Sequence, residues 1–140
     1  MPISRTAWAA VEAMLGNRPL EGQSLQGIQR LGAIVGGDHP SRHSRSPTLW
    51  NRLFGVLGFE AFFAAMDLDD VERLPSLLDA VVSVPGWLDL TVTTPYKSAA
   101  YGCLGALSMP MTVSDRVHHL GCLNHIIVDS AGGRGFVDNT

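Results

Sequence analysis

Lys97 is the residue whose placement most invites chemistry. It closes "TVTTPYK", residues 91–97, two residues beyond Pro95, and is the one lysine in the otherwise uncharged stretch "TVTTPYKSAAYG". A lysine that opens a helix lies against the positive end of the helix dipole, which favours the neutral amine and suits proton transfer. The plainer reading, a solvated loop lysine, stands beside it. Ser44 and Ser46 in "HSRSP" form a second candidate group. Hydroxyls two apart on an extended loop can face one ligand and hold a carboxylate beside a helix N-terminus, although Ser46 also suits a plain helix cap. The histidines lack metal-ligand spacing: His39 and His43 are four apart but separated by Pro40, and His118, His119 and His125 fit no ligand pattern. The glycine pairs in "VGGDHP" and "AGGRG" match neither G-x-G-x-x-G nor G-x-x-x-x-G-K-[ST], so no nucleotide-binding fingerprint is present. Cys103 and Cys122 read as buried thiols rather than a disulfide.

The elements that must position these groups alternate between strand and helix. Residues 5–15, "RTAWAAVEAML", carry Trp8, Val11, Met14 and Leu15 at helical spacing, and "GNRPLEGQS" breaks the pattern. This opening segment either caps a core edge or joins a partner chain. "RLGAIVGG" reads as a buried strand, "HPSRHSRSP" as a polar loop, and "PTLWNRLFGVLG" as a helix with Ser46 as N-cap and Pro47 at its first helical position. Leu49, Leu53, Val56 and Leu57 would be its core-facing side, with Gly58 as its stop. "FEAFFAAMDL" is assigned as a strand, "DDVERLPSLLDAVV" as a helix adjusted at Pro75, and "GWLDLTVTTP" as a strand. "KSAAYGCLGAL" and "TVSDRVHHLG" follow as helices, the second ending at Gly121. "LNHIIVDS" and "GFVDNT" make a closing hairpin around "AGGRG". The expected fold is α/β, a mostly parallel sheet flanked by helices. In such sheets ligands collect beyond the carboxyl ends of strands, and "HSRSP", "TVTTPYK" and the terminal "DNT" all fall there.

With 140 residues, 46% hydrophobic and 16% charged, the chain suits one globular domain. A net charge of −3 without a basic block argues against a nucleic-acid partner. No apolar run approaches the ~20 residues of a membrane helix, and the opening residues make a poor signal peptide, so a cytoplasmic location is expected.

The order of motifs resembles the substrate-binding domain of the shikimate dehydrogenase family. The family's H-S-x-S-P corresponds to "HSRSP", N-V-T-x-P-x-K to "TVTTPYK", G-A-V-N-T to "GCLNH" and the start of G-x-x-x-N-T-D-G to "GFVDNT". The resemblance implies a domain over residues 31–140, preceded by an N-terminal extension with a short helix over residues 1–30. It implies that Lys97, partly desolvated, is the catalytic lysine. Ser44 and Ser46 would bind the substrate carboxylate, and Thr93 and Asn124 the ring hydroxyls. The implied reaction is NADP-linked (or NAD-linked) interconversion of 3-dehydroshikimate and shikimate, or a related quinate or aminoshikimate reaction. Thr91 stands where the motif has asparagine and His125 where it has threonine, so the ring acid is left open. The family's catalytic aspartate and its Rossmann domain would lie beyond Thr140. The chain alone is therefore expected to bind no cofactor and to be inactive, needing that domain in cis or in trans. A stand-alone module or non-catalytic subunit binding a cyclic hydroxy-acid is the alternative, and a homodimer stays open.

Overall fold

The computed structural model describes residues 3–129 and 133–140. One six-stranded sheet runs β2-β1-β3-β5-β6-β4, with β1 at Arg30–Gly36, β2 at Ala61–Asp67, β3 at Trp87–Val92, β4 at Met111–Val113, β5 at His125–Asp129 and β6 at Arg134–Asp138. β1 pairs in parallel with β2 and β3, and β4 with β6; β5 runs antiparallel to β3 and to β6. The α/β expectation is met, with β5 as the strand that reverses direction. That reversal makes β6 parallel to β3, so the carboxyl ends of β1, β2, β3 and β6 share one edge with the start of β5.

Alternation divides the sheet into two unlike faces. Leu31, Ala33, Val35, Ala64, Met66, Leu90, Val92, Ile126, Val128 and Val137 point to one face and join the main core. Covering them are α1 (Arg5–Glu12), α4 (Leu74–Val82), α5 (Lys97–Cys103) and α6 (Asp115–Leu120), which contribute Trp8, Val11, Leu77, Leu78, Val81, Ala100 and Val117. The opening segment therefore caps the core. Its Trp8 stacks on Trp87 with ring centroids 6.3 Å apart, while the Trp8 indole N–H donates to Glu12.

On the other face lies α3 (Ser46–Leu57), following the single helical turn α2 (Pro40–His43). Trp50 packs against Phe54 and Phe63, and the Asn51 amide makes hydrogen bonds of 2.8 and 2.7 Å to the Phe63 carbonyl and N–H. Asn17 does the same further along, donating to the Ala65 carbonyl and accepting from the Asp67 N–H at 2.9 Å each. The two side-chain amides satisfy the outer rim of edge strand β2, which would otherwise offer free backbone groups to another chain.

Several expectations are corrected. The segment "HPSRHSRSP" is not all loop, because Pro40 starts a helical turn that Asp67 secures from β2. Arg45, not Ser46, is the N-cap of α3; Ser46 is already helical, and its N–H is taken by the Ser44 hydroxyl at 3.3 Å. The stripe Leu49, Leu53, Val56 and Leu57 is exposed, not core, since α3 turns Asn51 and Phe54 to the sheet instead, with Trp50 half-exposed beside Phe63. Strand β4 was missed; its three residues owe their extended form to pairing with β6. Gly58 ends α3 with φ 71°, as read from the sequence. Ala131 and Gly132 of the "AGGRG" turn lie outside the described residues.

Among the described residues no helix is long and apolar enough to cross a membrane. Truncating Trp8 to alanine is expected to cost about 3–5 kcal/mol, because a buried stacked indole is lost, as read by denaturant unfolding. Val56→Lys, at a position 79% exposed, should change stability by less than about 0.5 kcal/mol in the same assay.

Candidate functional site

The site is organised by the end of β1. This strand is buried from Leu31 to Gly36, and its last residues receive the chain segments that follow both neighbours. Leu68 N–H donates to Gly36 O at 3.0 Å after β2; Thr93 N–H donates to Val35 O at 2.9 Å and Gly37 N–H to Thr94 O at 3.2 Å after β3. Two glycines permit this closure: a Cβ on Gly36 would stand 2.5 Å from Thr93 Cγ2, and one on Gly37 would stand 2.7 Å from the Tyr96 hydroxyl. Tyr96, buried, donates its hydroxyl to Leu68 O at 2.6 Å. Burial first, then the charges of Asp69 and Asp70, raise its pKa, so it stays a neutral donor bridging the two loops. The Thr94–Pro95 peptide between them is cis.

Lys97 is the first residue of α5 and is exposed, where partial desolvation was expected: the first turn of α5 stands at the rim of the sheet edge. Its carbonyl accepts from Leu123 N–H at 3.1 Å. Next in the chain, Asn124 accepts from Val92 N–H at 2.8 Å and donates from its own N–H to Asp138 O at 3.2 Å. The Asn124 amide meanwhile grips Thr140, accepting from its N–H at 3.1 Å and donating to its carbonyl at 3.2 Å. Thr93, Lys97, Asn124 and the terminal "DNT" are thus laced into one edge by backbone bonds. Ser44 and Ser46 reach that end of the sheet through α2, but a different cavity takes Ser44. This hollow of about 280 Å³ is lined by Ser44, Ser41, Thr48, Asn51, Asn17 and Arg18 together with residues of β2, and not by Lys97, Thr93 or Asn124.

Thr91 and His125, the two departures from the family motifs, are cross-strand partners on β3 and β5. Asp89 joins them, its carboxylate accepting from the Thr91 hydroxyl at 3.3 Å and lying 3.3 Å from His125 Nδ1. The hydrogen bond to Asp89 raises the His125 pKa, burial opposes it, and the charges of Asp89 and Asp138 add to the rise. Asp138 is held low by the Asn139 N–H and the Ser114 hydroxyl, with Arg116 at 2.8 Å and His125 contributing. The departures form one connected cluster, which sequence reasoning missed because only strand register brings 89, 91 and 125 together. Of the remaining histidines, His39 lies 3.8 Å from both Asp67 and Asp69, and His43 lies 3.3 Å from Asp38. Cys103 and Cys122 are free thiols; Cys103 is buried, which raises its pKa, and Cys122 is only partly buried.

Comparisons with known proteins identify the family. Residues 35–125, well over half the chain, match the family model of the shikimate dehydrogenase substrate binding domain. The chain belongs to that family. It is 31% identical over 112 residues to the shikimate dehydrogenase (NADP(+)) of Anaeromyxobacter sp. (strain K), covering 80% of this chain and 37% of that protein. It is 32% identical over 108 residues to the pentafunctional AROM polypeptide 1 of Lodderomyces elongisporus, covering 76% of this chain and 6% of that one. Among solved structures, shikimate 5-dehydrogenase of Thermus thermophilus, in complex with NADP(H) and shikimate, superposes with TM-score 0.62 at 28% identity, covering 79% of this chain and 37% of that one. The chain therefore spans little more than a third of the length of these dehydrogenases.

The relatives' names raise the question of NADP, and the turn after β1 does not fit its pyrophosphate. The turn after β1 leads into a helix of only four residues, and the Asp67 carboxylate already occupies its N-terminus through Ser41 N–H at 3.0 Å. A pyrophosphate there would meet a fixed negative charge where a dinucleotide site needs free N–H groups.

The His125 cluster yields a pH prediction. A histidine whose folded pKa is raised above its ordinary value of 6.5 contributes stability fully present below about pH 6.5 and lost as pH rises through the raised value. Thermal stability of the wild type should fall over that window, and His125→Asn should flatten the fall. Parallel profiles for the two proteins would remove His125 as the cause.

Proposed function

We propose that this domain binds a cyclic hydroxy-acid of the shikimate and 3-dehydroshikimate class at the carboxyl edge of its sheet. The observation that carries this reading is the lacing of three of the four motif segments, those of Lys97, Asn124 and Thr140, to one edge, where Val92 N–H meets Asn124 O and Leu123 N–H meets Lys97 O. In this reading Ser44 and Ser46 take the carboxylate, Thr93 and Asn124 hydrogen-bond the ring hydroxyls, and Lys97 holds or returns the proton at the hydroxyl that becomes a ketone. Hydroxyl and amide groups suit a poly-hydroxylated ring, since each can donate and accept. The ammonium of Lys97 suits an anionic ligand and, beside a substrate hydroxyl, general acid-base work.

The domain serves an oxidoreductase of the shikimate dehydrogenase kind, with NADP held outside these residues. By itself it supplies binding, orientation and the Lys97 proton site, and no hydride step is assigned to it. Isothermal titration with shikimate tests the reading. The double variant Ser44→Ala with Asn124→Ala is expected to weaken binding by about tenfold or more, the loss of hydrogen bonds to two parts of the ligand. Affinity unchanged by the double substitution would remove these residues from the site.

A further inference from the structure

The structure places one buried carboxylate where the strand end, the serine loop and the N-terminal segment meet. Asp67, the last residue of β2, is 4% exposed. Its carboxylate accepts from the Ser41 N–H at 3.0 Å and from the Ser41 hydroxyl at 2.5 Å. Its backbone is gripped as well: the carbonyl accepts from Gly16 N–H at 2.8 Å and the N–H donates to Asn17 Oδ1 at 2.9 Å. Ser41 lies in the first turn of α2, and the C-cap of that helix is Ser44, whose N–H donates to Pro40 O at 2.9 Å. A one-turn helix has no stability of its own, because the ordering of its residues is repaid by too few internal bonds. Its N-cap makes matters worse. His39 takes the left-handed conformation, φ 57° and ψ 63°, offers no side-chain cap, and lies 3.8 Å from Asp67. The Asp67 carboxylate supplies what is missing, accepting an otherwise unpaired N–H at the helix start.

We propose that Asp67 is the positioning residue for Ser44, and that Gly16 and Asn17 of the N-terminal segment fix Asp67 for this task. As a statement about ligand binding this rests on the ring-acid reading above; as a statement about the serine loop it does not. The segment before β1 thereby has a role in the binding edge as well as in the core. Asp67 acts through Ser41 and α2 and touches no ligand itself.

Amide hydrogen exchange on the whole chain tests the loop, and shikimate titration tests the consequence. Asp67→Ala should lower protection of the Ser44 amide by about tenfold or more, the loss of a charge-assisted bond to α2, while the Ile126 amide in β5 stays within about twofold of wild type. Asp67→Asn keeps the shape, an acceptor for the Ser41 N–H and a donor for its hydroxyl, so it should restore most of that protection and of the affinity. Should Asp67→Ala loosen the whole domain, with Ile126 exchanging freely, the decision passes to Ser41→Ala. That change sits at an exposed position and removes only the hydroxyl bond, and it should lower Ser44 protection by a few-fold. Wild-type protection at Ser44 in a folded Asp67→Ala, or in Ser41→Ala when that variant decides, overturns the proposal. Loosening of Ser44 in a protein whose wild type binds no shikimate supports the positioning role and overturns the ring-acid reading instead.

Discussion

β1 is paired in parallel on both sides and apolar on both faces, and the rest of the molecule hangs on that condition. A strand with no free edge fixes the register of its neighbours, and a slip of one residue in either ladder would carry every side chain to the opposite face. Met66 and Val92 would leave the core, and the loops after β2 and β3 would lose their bonds to Gly36 and Val35. The order of the carboxyl edge is thus a consequence of core packing. Its loops are ordered because they close onto the end of a strand that cannot move.

The electrostatics of that edge follow a consistent arrangement. Carboxylates are frequent there, and each has an internal partner: Asp67 the Ser41 hydroxyl, Asp89 the His125 ring, Asp138 the Ser114 hydroxyl and Arg116, Asp38 and Asp69 the rings of His43 and His39. Of these carboxylates only Asp67 is buried, and the others brace loops and strands from partly exposed positions. What stands outward is the Lys97 ammonium at the start of α5, which is exposed.

The opposite face of the sheet is finished differently. α3 turns Asn51 and Phe54 to the sheet, leaving Leu49, Leu53, Val56 and Leu57 exposed along with Phe59, Ile127 and Phe136, and Trp50 half-exposed against Phe63. Local periodicity treats any apolar stripe as core, so it selected the wrong side of α3. The side that packs contains an asparagine, whose value there comes from the backbone groups of an edge strand. Pattern reasoning cannot see a strand rim that only the tertiary fold creates.

By itself the sequence determined the order and kind of the major elements, the strand "RLGAIVGG", the stop at Gly58, and the motif residues Ser44, Ser46, Thr93, Lys97 and Asn124. Those features are local: apolar runs, glycine at a left-handed cap, and short motifs in a fixed order are all written in adjacent residues. Tertiary structure decided the rest. It made Thr91 and His125 neighbours through Asp89, because cross-strand register is set by hydrogen bonding between segments over thirty residues apart. It converted part of a polar loop into α2, because a carboxylate from β2 holds the start of that turn. It gave β4 its form by pairing it with β6. In each case the deciding energy belongs to a contact between distant segments, and no window along the chain contains both partners.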